Sequence, residues 1–391
     1  MNERTGFLPK AVQWLNRRWW PGLSHGRPHT VAVLGAGNGG LAMAADLALA
    51  GHRVRLYNRS PGRLEPIIGT GGIELEGKAP RLVRLDRVTA EPGEAVQGAS
   101  LIMVVVPATG HATLAEIFAP HLQDGQVVVL NPGRTGGALE FQSILRTNGA
   151  APGAIVAEAS TFLFASRATG PARARIYGRK SRVLFSALPA SANREVGWLL
   201  DQLYPGRFVA ASSVLETSLD NIGAVFHPAI TLLNTGRIED TADGFEFYRR
   251  GASPSVAKVM AAVDQERCTI AATLGVPHQS ALSWMDKTYG IKAPDLYSAL
   301  QANPGYAGIT APGQLDHRYL TEDVPASLVP MASLGAALRV PTPNIRCLID
   351  LASTIHGLGY MAIGRTIERL GLSGHTPGQI LAHVAEGRAV A

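Results

Sequence analysis

The sequence predicts an α/β domain built on a parallel sheet, followed by a mainly α-helical domain. Three observations carry this. Short apolar, β-branched runs alternate with helical stretches through the first half of the chain. A glycine-rich turn, Gly35-Ala36-Gly37-Asn38-Gly39-Gly40, stands where the first such run ends. After about residue 211 the strand pattern stops and apolar residues recur at helical spacing. With 391 residues, 46% of them hydrophobic, the chain can supply cores for two domains.

The elements follow in order. Val31–Leu34 reads as a strand, Gly40–Ala50 as a helix with almost no charge, and Arg53–Tyr57 as the next strand, which together make a βαβ unit. Leu101–Val106 and Val127–Leu130 are unbroken apolar runs, as expected of strands covered on both faces. Thr109–Ala119 and Gly136–Arg146 are the intervening helices. Gly72–Leu85 looks like a hairpin that interrupts the alternation. Ile155–Ala159, Arg173–Ile176, Val183–Ala187 and Phe208–Ala210 are further short strands. The expected division is therefore an N-terminal extension over 1–28, a first domain over 29–211 and a helical domain over 212–391. In the last, Ser253 caps a helix with Pro254 at its first position, and Gly275 closes it after Leu274. Further helices are expected over Ser280–Tyr289, Pro294–Ala302, Leu328–Leu338, Thr342–Ile355 and Thr376–Glu386.

The formal net charge is +6, but arginines are spread along the whole chain and no nucleic-acid-binding motif is present. A diffuse positive field suits anionic small molecules better than DNA or RNA. The two cysteines, Cys268 and Cys347, lack metal-ligand spacing and are expected as reduced core thiols, with no metal site. The charge-poor run Val31–Ala50 is broken by glycines and holds Asp46, so it is no membrane span. Trp14, Trp19 and Trp20 mix with Arg17 and Arg18 in the extension. This predicts a short amphipathic segment that packs on the surface or pairs with another copy, rather than a signal peptide. A cytoplasmic location and a homodimer formed through the helical domain are the corresponding expectations.

Gly35–Gly40 matches G-x-G-x-x-G, follows a strand, opens a helix and is followed by another strand, the context of a Rossmann dinucleotide site. Gly35 permits the tight turn, Gly37 lets the backbone approach a pyrophosphate, and Gly40 lets helix and strand pack closely. Asn38 and Gly39 complete the helix N-terminus that faces the phosphates. The end of the second strand should read the ribose. Where an NAD enzyme places Asp or Glu, this chain has Asn58-Arg59-Ser60, and Arg59 is placed to pair with a 2′-phosphate. NADP(H) is therefore favoured over NAD(H). Val106-Pro107 and Asn131-Pro132-Gly133-Arg134 end central strands at the edge where the nicotinamide should lie. Arg134 is a candidate clamp for a substrate carboxylate.

His227 stands in the apolar stretch Asn221–Pro228, directly after the first domain, and the later loop His317–Pro325 is polar with several titratable groups. An Asp–His pair across a cleft makes a general acid tuned near neutrality. From Val31 onward the sequence resembles the octopine/nopaline (opine) dehydrogenases. The resemblance rests on Gly35–Gly40, Asn131–Arg134, Phe226-His227-Pro228, Phe247-Tyr248, Asp264-Gln265-Glu266-Arg267, Tyr319–Pro325 and Val340–Pro343. It implies a Rossmann domain followed by a helical opine domain, and NAD(P)H-dependent condensation of an amino acid with an α-keto acid. It also implies that His227 and Asp323 form the catalytic pair. One departure stands out: where some relatives carry an asparagine four residues before the histidine, this chain has Gly223, with Asn221 two residues earlier. Candidate substrate-binding residues are Arg134, Asn221, Arg237 and Arg318. Two rival readings are a lysine-based oxidoreductase of the ketopantoate-reductase or glycerol-3-phosphate-dehydrogenase kind, using Lys258 or Lys287, and a catalytically silent NADP-binding sensor.

Overall fold

The computed structural model describes residues 28–77, 79–240 and 244–387. The expected amphipathic segment with Trp14, Trp19 and Trp20 lies outside the described residues. Twelve described strands form two sheets. The larger contains β1 (Thr30–Leu34), β2 (Arg53–Tyr57), β5 (Arg87–Thr89), β6 (Leu101–Val104), β7 (Val127–Leu130), β8 (Ile155–Ala159), β11 (Val183–Leu188) and β12 (Phe208–Ala210). Its order is β12-β11-β8-β7-β6-β1-β2-β5. Pairing is parallel from β8 to β5 and turns antiparallel between β8 and β11. The smaller sheet, β4-β3-β10-β9, joins the expected hairpin of β3 (Ile73–Glu76) and β4 (Arg81–Val83) to β9 (Phe164–Gly170) and β10 (Arg173–Arg179).

The period of two along the strands decides how the domains meet. Val31, Val33, Leu101, Met103, Val127 and Val129 face the core that includes helix Asn38–Leu49 and the smaller sheet. Their neighbours Ala32, Leu34, Ile102, Val104, Val128 and Leu130 face a core that runs on into the helical domain through Val225, Met260, Leu328 and Ile345. One apolar layer is thus shared across the domain junction.

Two expectations need correction. The run Leu101–Val106 leaves the sheet at Val104, and Val105 and Val106 turn out to line a cleft instead. After β12 the described elements are helical, and the chain returns to the first domain near its end. There Arg365 donates to Glu140 Oε2 at 2.6 Å and to the Gly133 and Ala108 carbonyls at 3.0 and 3.2 Å. Leu370 packs over Gly136, and Gly387 lies against Pro189. Cys347 is exposed and Cys268 half-buried, so neither is a fully buried core thiol. Strand β9 and helix Ile222–Leu232 were not anticipated: β9 is mostly exposed and lacks an apolar signal, and the helix carries Pro228 in its interior.

Candidate active site

The turn after β1 is shaped by what its glycines exclude. Gly35 has φ +116°, donates its amide to Tyr57 O at 2.8 Å, and would put a Cβ 2.5 Å from Val105 O. A Cβ on Gly40 would stand 1.7 Å from Gly35 O, so the helix start is pressed onto the turn. Gly39 fits under the ring of Phe162, 2.9 Å from its would-be Cβ. Gly37 differs, with nothing within 4 Å of that position, so the backbone is open there. Helix Asn38–Leu49 begins at this opening with no side-chain cap and no acidic residue in its first turn. Its first amides are left for an anion. Asn38 Oδ1 accepts the Ala168 amide at 2.8 Å, and Ser166 Oγ donates to Asn38 O at 3.2 Å, which ties β9 over the helix start.

Asn58 holds the loop from the other side. Its Oδ1 accepts the Ala36 amide at 3.1 Å and its Nδ2 donates to Ser60 O at 3.1 Å. Arg59 and Ser60 line the same cavity, together with Arg63, which the sequence reading missed. Both arginines are exposed, and neither pairs with a carboxylate among the described residues. The cleft continues past Val106, Pro107 and Asn131 to Arg318 and Glu322, with Phe162 and residues 164–168 as its far wall. Asn131 is buried; its Nδ2 donates to Val129 O at 2.8 Å, while its Oδ1 has no partner. The open cradle at Gly37, the free cations by β2 and this unused acceptor fit a dinucleotide lying along the cleft.

At the domain junction, His227 projects from helix Ile222–Leu232. Its Nδ1 stands 2.7 Å from Asp323 Oδ2 and its Nε2 3.0 Å from the Tyr248 hydroxyl. The Tyr319 ring stacks on the imidazole with centroids 4.2 Å apart. Asp323 is fully buried just before a π-helical turn, Val324–Leu328. Its Oδ1 lies 3.3 Å from Arg134 Nη1. Arg134 also donates from Nε to Glu322 Oε1 at 3.2 Å, an oxygen that accepts the Ala108 amide at 3.1 Å. Arg318 pairs with Glu322 Oε2 at 2.8 Å. Burial pushes the Asp323 carboxyl up, but the Arg134 guanidinium and His227 outweigh it and hold the carboxyl below its ordinary value. With Asp323 ionised, Nδ1 carries the proton, and in the neutral ring Nε2 accepts from Tyr248. Burial, then the neighbouring Tyr319 and Tyr306, push the Tyr248 phenol well up, so it remains a donor.

Several sequence expectations change. Arg134 is neutralised by Asp323 and Glu322, so its guanidinium is held against those two carboxylates rather than left as a free clamp. Asn221 is buried and donates to Ser327 Oγ at 2.9 Å, which makes it a strut between helices. Arg237 lies 3.9 Å over the Phe245 ring and donates to Asn234 Oδ1 and Arg250 O, away from the cluster. Arg318 keeps its place on the cleft wall, with about half of its side chain exposed. Lys258 and Lys287 are both exposed on their helices. Tyr248, Tyr319 and Glu322 were missed as site residues, although all three sit in stretches singled out for the resemblance or for polar character.

Comparison with known proteins gives a consistent result. Residues 210–356 match the family model described as "NAD/NADP octopine/nopaline dehydrogenase, alpha-helical domain", and residues 31–187 match that of ketopantoate reductase. An opine dehydrogenase of Arthrobacter sp. (strain 1C) is 42% identical over 350 residues, covering 89% of this chain and 96% of the relative. An octopine dehydrogenase solved with NADH and agmatine superposes with a TM-score of 0.77 at 22% identity, over 93% of this chain and 99% of its own. A yersinopine dehydrogenase with bound NADP+ superposes at 0.72 and 19% identity over the same shares. The ketopantoate-reductase match stops before the helical domain, whereas the Arthrobacter similarity spans both domains and the junction where His227 meets Asp323, and on that ground the chain belongs to the opine dehydrogenase family of oxidoreductases.

Proposed function

We propose that this chain reductively condenses an amino acid with an α-keto acid to a secondary-amine dicarboxylate, using NADPH in preference to NADH. The observation that carries the reaction type is the His227–Asp323 pair, 2.7 Å apart, at the end of the cleft that begins at the phosphate loop. When bound, the cofactor supplies a hydride to the carbon of the imine formed from the two substrates. The chain's own residues do the rest. The open backbone at Gly37 and the first amides of helix Asn38–Leu49 take the pyrophosphate. Arg59 and Arg63 take the 2′-phosphate. Protonated His227 gives its Nε2 proton to the carbinolamine hydroxyl, which leaves as water and yields the imine. Asp323 stabilises the imidazolium and fixes the ring, with Tyr319 stacked behind it. The balance is amine, keto acid, reduced cofactor and one proton in; secondary amine, oxidised cofactor and water out.

A lysine-based reading finds no support, since Lys258 and Lys287 lie exposed outside the cluster. The test is cofactor oxidation against a panel of amino acids paired with α-keto acids, with mass spectrometry for the product. At least one pair should be turned over to a secondary amine, faster with NADPH than with NADH. Oxidation by the keto acid alone, with a hydroxy acid as product, would overturn the proposal.

A further inference from the structure

Among the described residues, the cations that line the cleft from the phosphate loop to the domain junction are Arg63, Arg167 and Arg318. Arg63 also borders the cavity by β2, with Arg59 and Ser60, which the 2′-phosphate is proposed to fill. Arg318 is paired with Glu322. Arg167, in β9, is exposed and meets no carboxylate among the described residues. Its backbone is fixed beside the start of helix Asn38–Leu49. Both of its neighbours bond to Asn38: the Ala168 amide donates to Oδ1 at 2.8 Å, and Ser166 Oγ donates to the carbonyl at 3.2 Å. At the root of the strand Phe162 lies against Gly39, and the Phe164 ring meets Phe162 edge-on with centroids 5.5 Å apart. β9 is an edge strand of the smaller sheet, and residues 164–168 face the cleft as its wall.

The strand register adds an independent observation. Arg167 stands directly opposite Arg175 of β10. Like charges directly opposite each other destabilise a strand pair. Arg175 has the Tyr177 ring beside it, 5.3 Å to the centroid, and does not border the cleft. Arg167 has no such ring among the described residues, so its charge is left for an anion in the cleft. The turn and the helix start hold no charged side chain from Gly35 to Ala45, so a pyrophosphate there meets backbone amides but no full positive charge from the loop itself. Asn131, buried with an unpartnered Oδ1, borders the same cleft, which is the mark of a space that a ligand fills.

We infer that the Arg167 guanidinium binds the cofactor's pyrophosphate, across from the amides of helix Asn38–Leu49. This rests on the dinucleotide reading of the cleft and not on which substrates are condensed. The phosphate site is then completed by a strand whose bonds to Asn38 span 128 and 130 residues of chain. The bound anion also offsets the repulsion between Arg167 and Arg175.

The experiment titrates NADH, NADPH and ADP-ribose into the full chain by calorimetry, and follows thermal unfolding without nucleotide. All three ligands carry the pyrophosphate; NADH lacks the 2′-phosphate and ADP-ribose lacks the nicotinamide. Arg167→Met should raise the Kd of all three alike, by roughly ten-fold, the low end for a charge-assisted hydrogen bond because the side chain is exposed and screened. Arg167→Lys should recover part of the loss. Arg175→Met removes a charge from the same register position of the neighbouring strand and should leave every Kd unchanged. The unfolding midpoint of the free chain should hold or rise in both Met variants, because a like-charge pair is relieved. A loss confined to NADPH would overturn the assignment by moving Arg167 to the 2′-phosphate, and a loss that spares ADP-ribose would overturn it by moving Arg167 to the nicotinamide end. Equal losses in Arg175→Met would reduce the effect to a diffuse positive field and overturn it too. So would unchanged affinities, or a lowered midpoint in Arg167→Met, which would make the arginine structural. Failure of both NADH and NADPH to bind the unmodified chain would overturn the dinucleotide reading together with the assignment.

Discussion

Around Gly35–Gly40 the chain works by leaving side chains out; around His227 it works by packing them in. At the phosphate loop, Gly35 and Gly40 are glycines because protein atoms occupy the space a Cβ needs, whereas the space beside Gly37 is open. At the junction, His227, Asp323, Arg134, Glu322, Tyr248 and Tyr319 come from four separate stretches, and each charge is held by an opposite one. The first region is built around one turn, with β9 tied over the helix start. The second exists only when both domains are folded and apposed, which the shared apolar layer and the returning C-terminal segment enforce.

The contrast can be broken by substitution. The largest effect should come from His227→Ala, which should cut kcat about a hundred- to ten-thousand-fold with NADPH affinity unchanged. Arg134→Met should mainly cost stability, about 3–5 kcal/mol in a denaturant titration, because it leaves a fully buried Asp323 short of its cation. Its pH dependence follows from sign. Asp323 is held below its ordinary value, so the stability it contributes is present above the unfolded pKa of about 3.9 and is lost as pH falls through the depressed one. Arg134→Met should move that acid loss to higher pH. Replacing Arg59 and Arg63 by Ala should each raise the KM for NADPH by up to about ten- to a hundred-fold and leave NADH nearly unchanged. Equal losses for both cofactors would remove them from the 2′-phosphate. The smallest change should be Gly37→Ala. Nothing in the protein meets the new methyl, so the midpoint of unfolding should hold while nucleotide affinity drops several-fold. A loss of stability there would mean the gap is structural.

The same contrast explains what the sequence disclosed. The phosphate loop is written in six consecutive residues, and its flanking strands and helix follow from periodicity. Arg59 is visible as an absence of carboxylate after β2; Arg63, four residues on, has no signal of its own. The His227–Asp323 pair joins residues 96 apart, and composition offers no rule for pairing them; only family resemblance brings the two together in the sequence. The strand-edge position of Arg134 is legible but its partners are not, because the carboxylate that takes its Nε comes from 188 residues away. No motif in the sequence marks Arg237, and in the fold its guanidinium lies over the Phe245 ring.

The central claim is that His227 and Asp323 act as one unit, and a double-mutant cycle on kcat tests it most directly. His227→Ala, Asp323→Asn and the double variant should be compared at saturating NADPH, after circular dichroism shows each to be folded. If the pair serves one proton transfer, the double variant should be little slower than the slower single variant. Losses that multiply, so that the double variant falls by the product of the two, would show two residues that matter separately and would contradict the account.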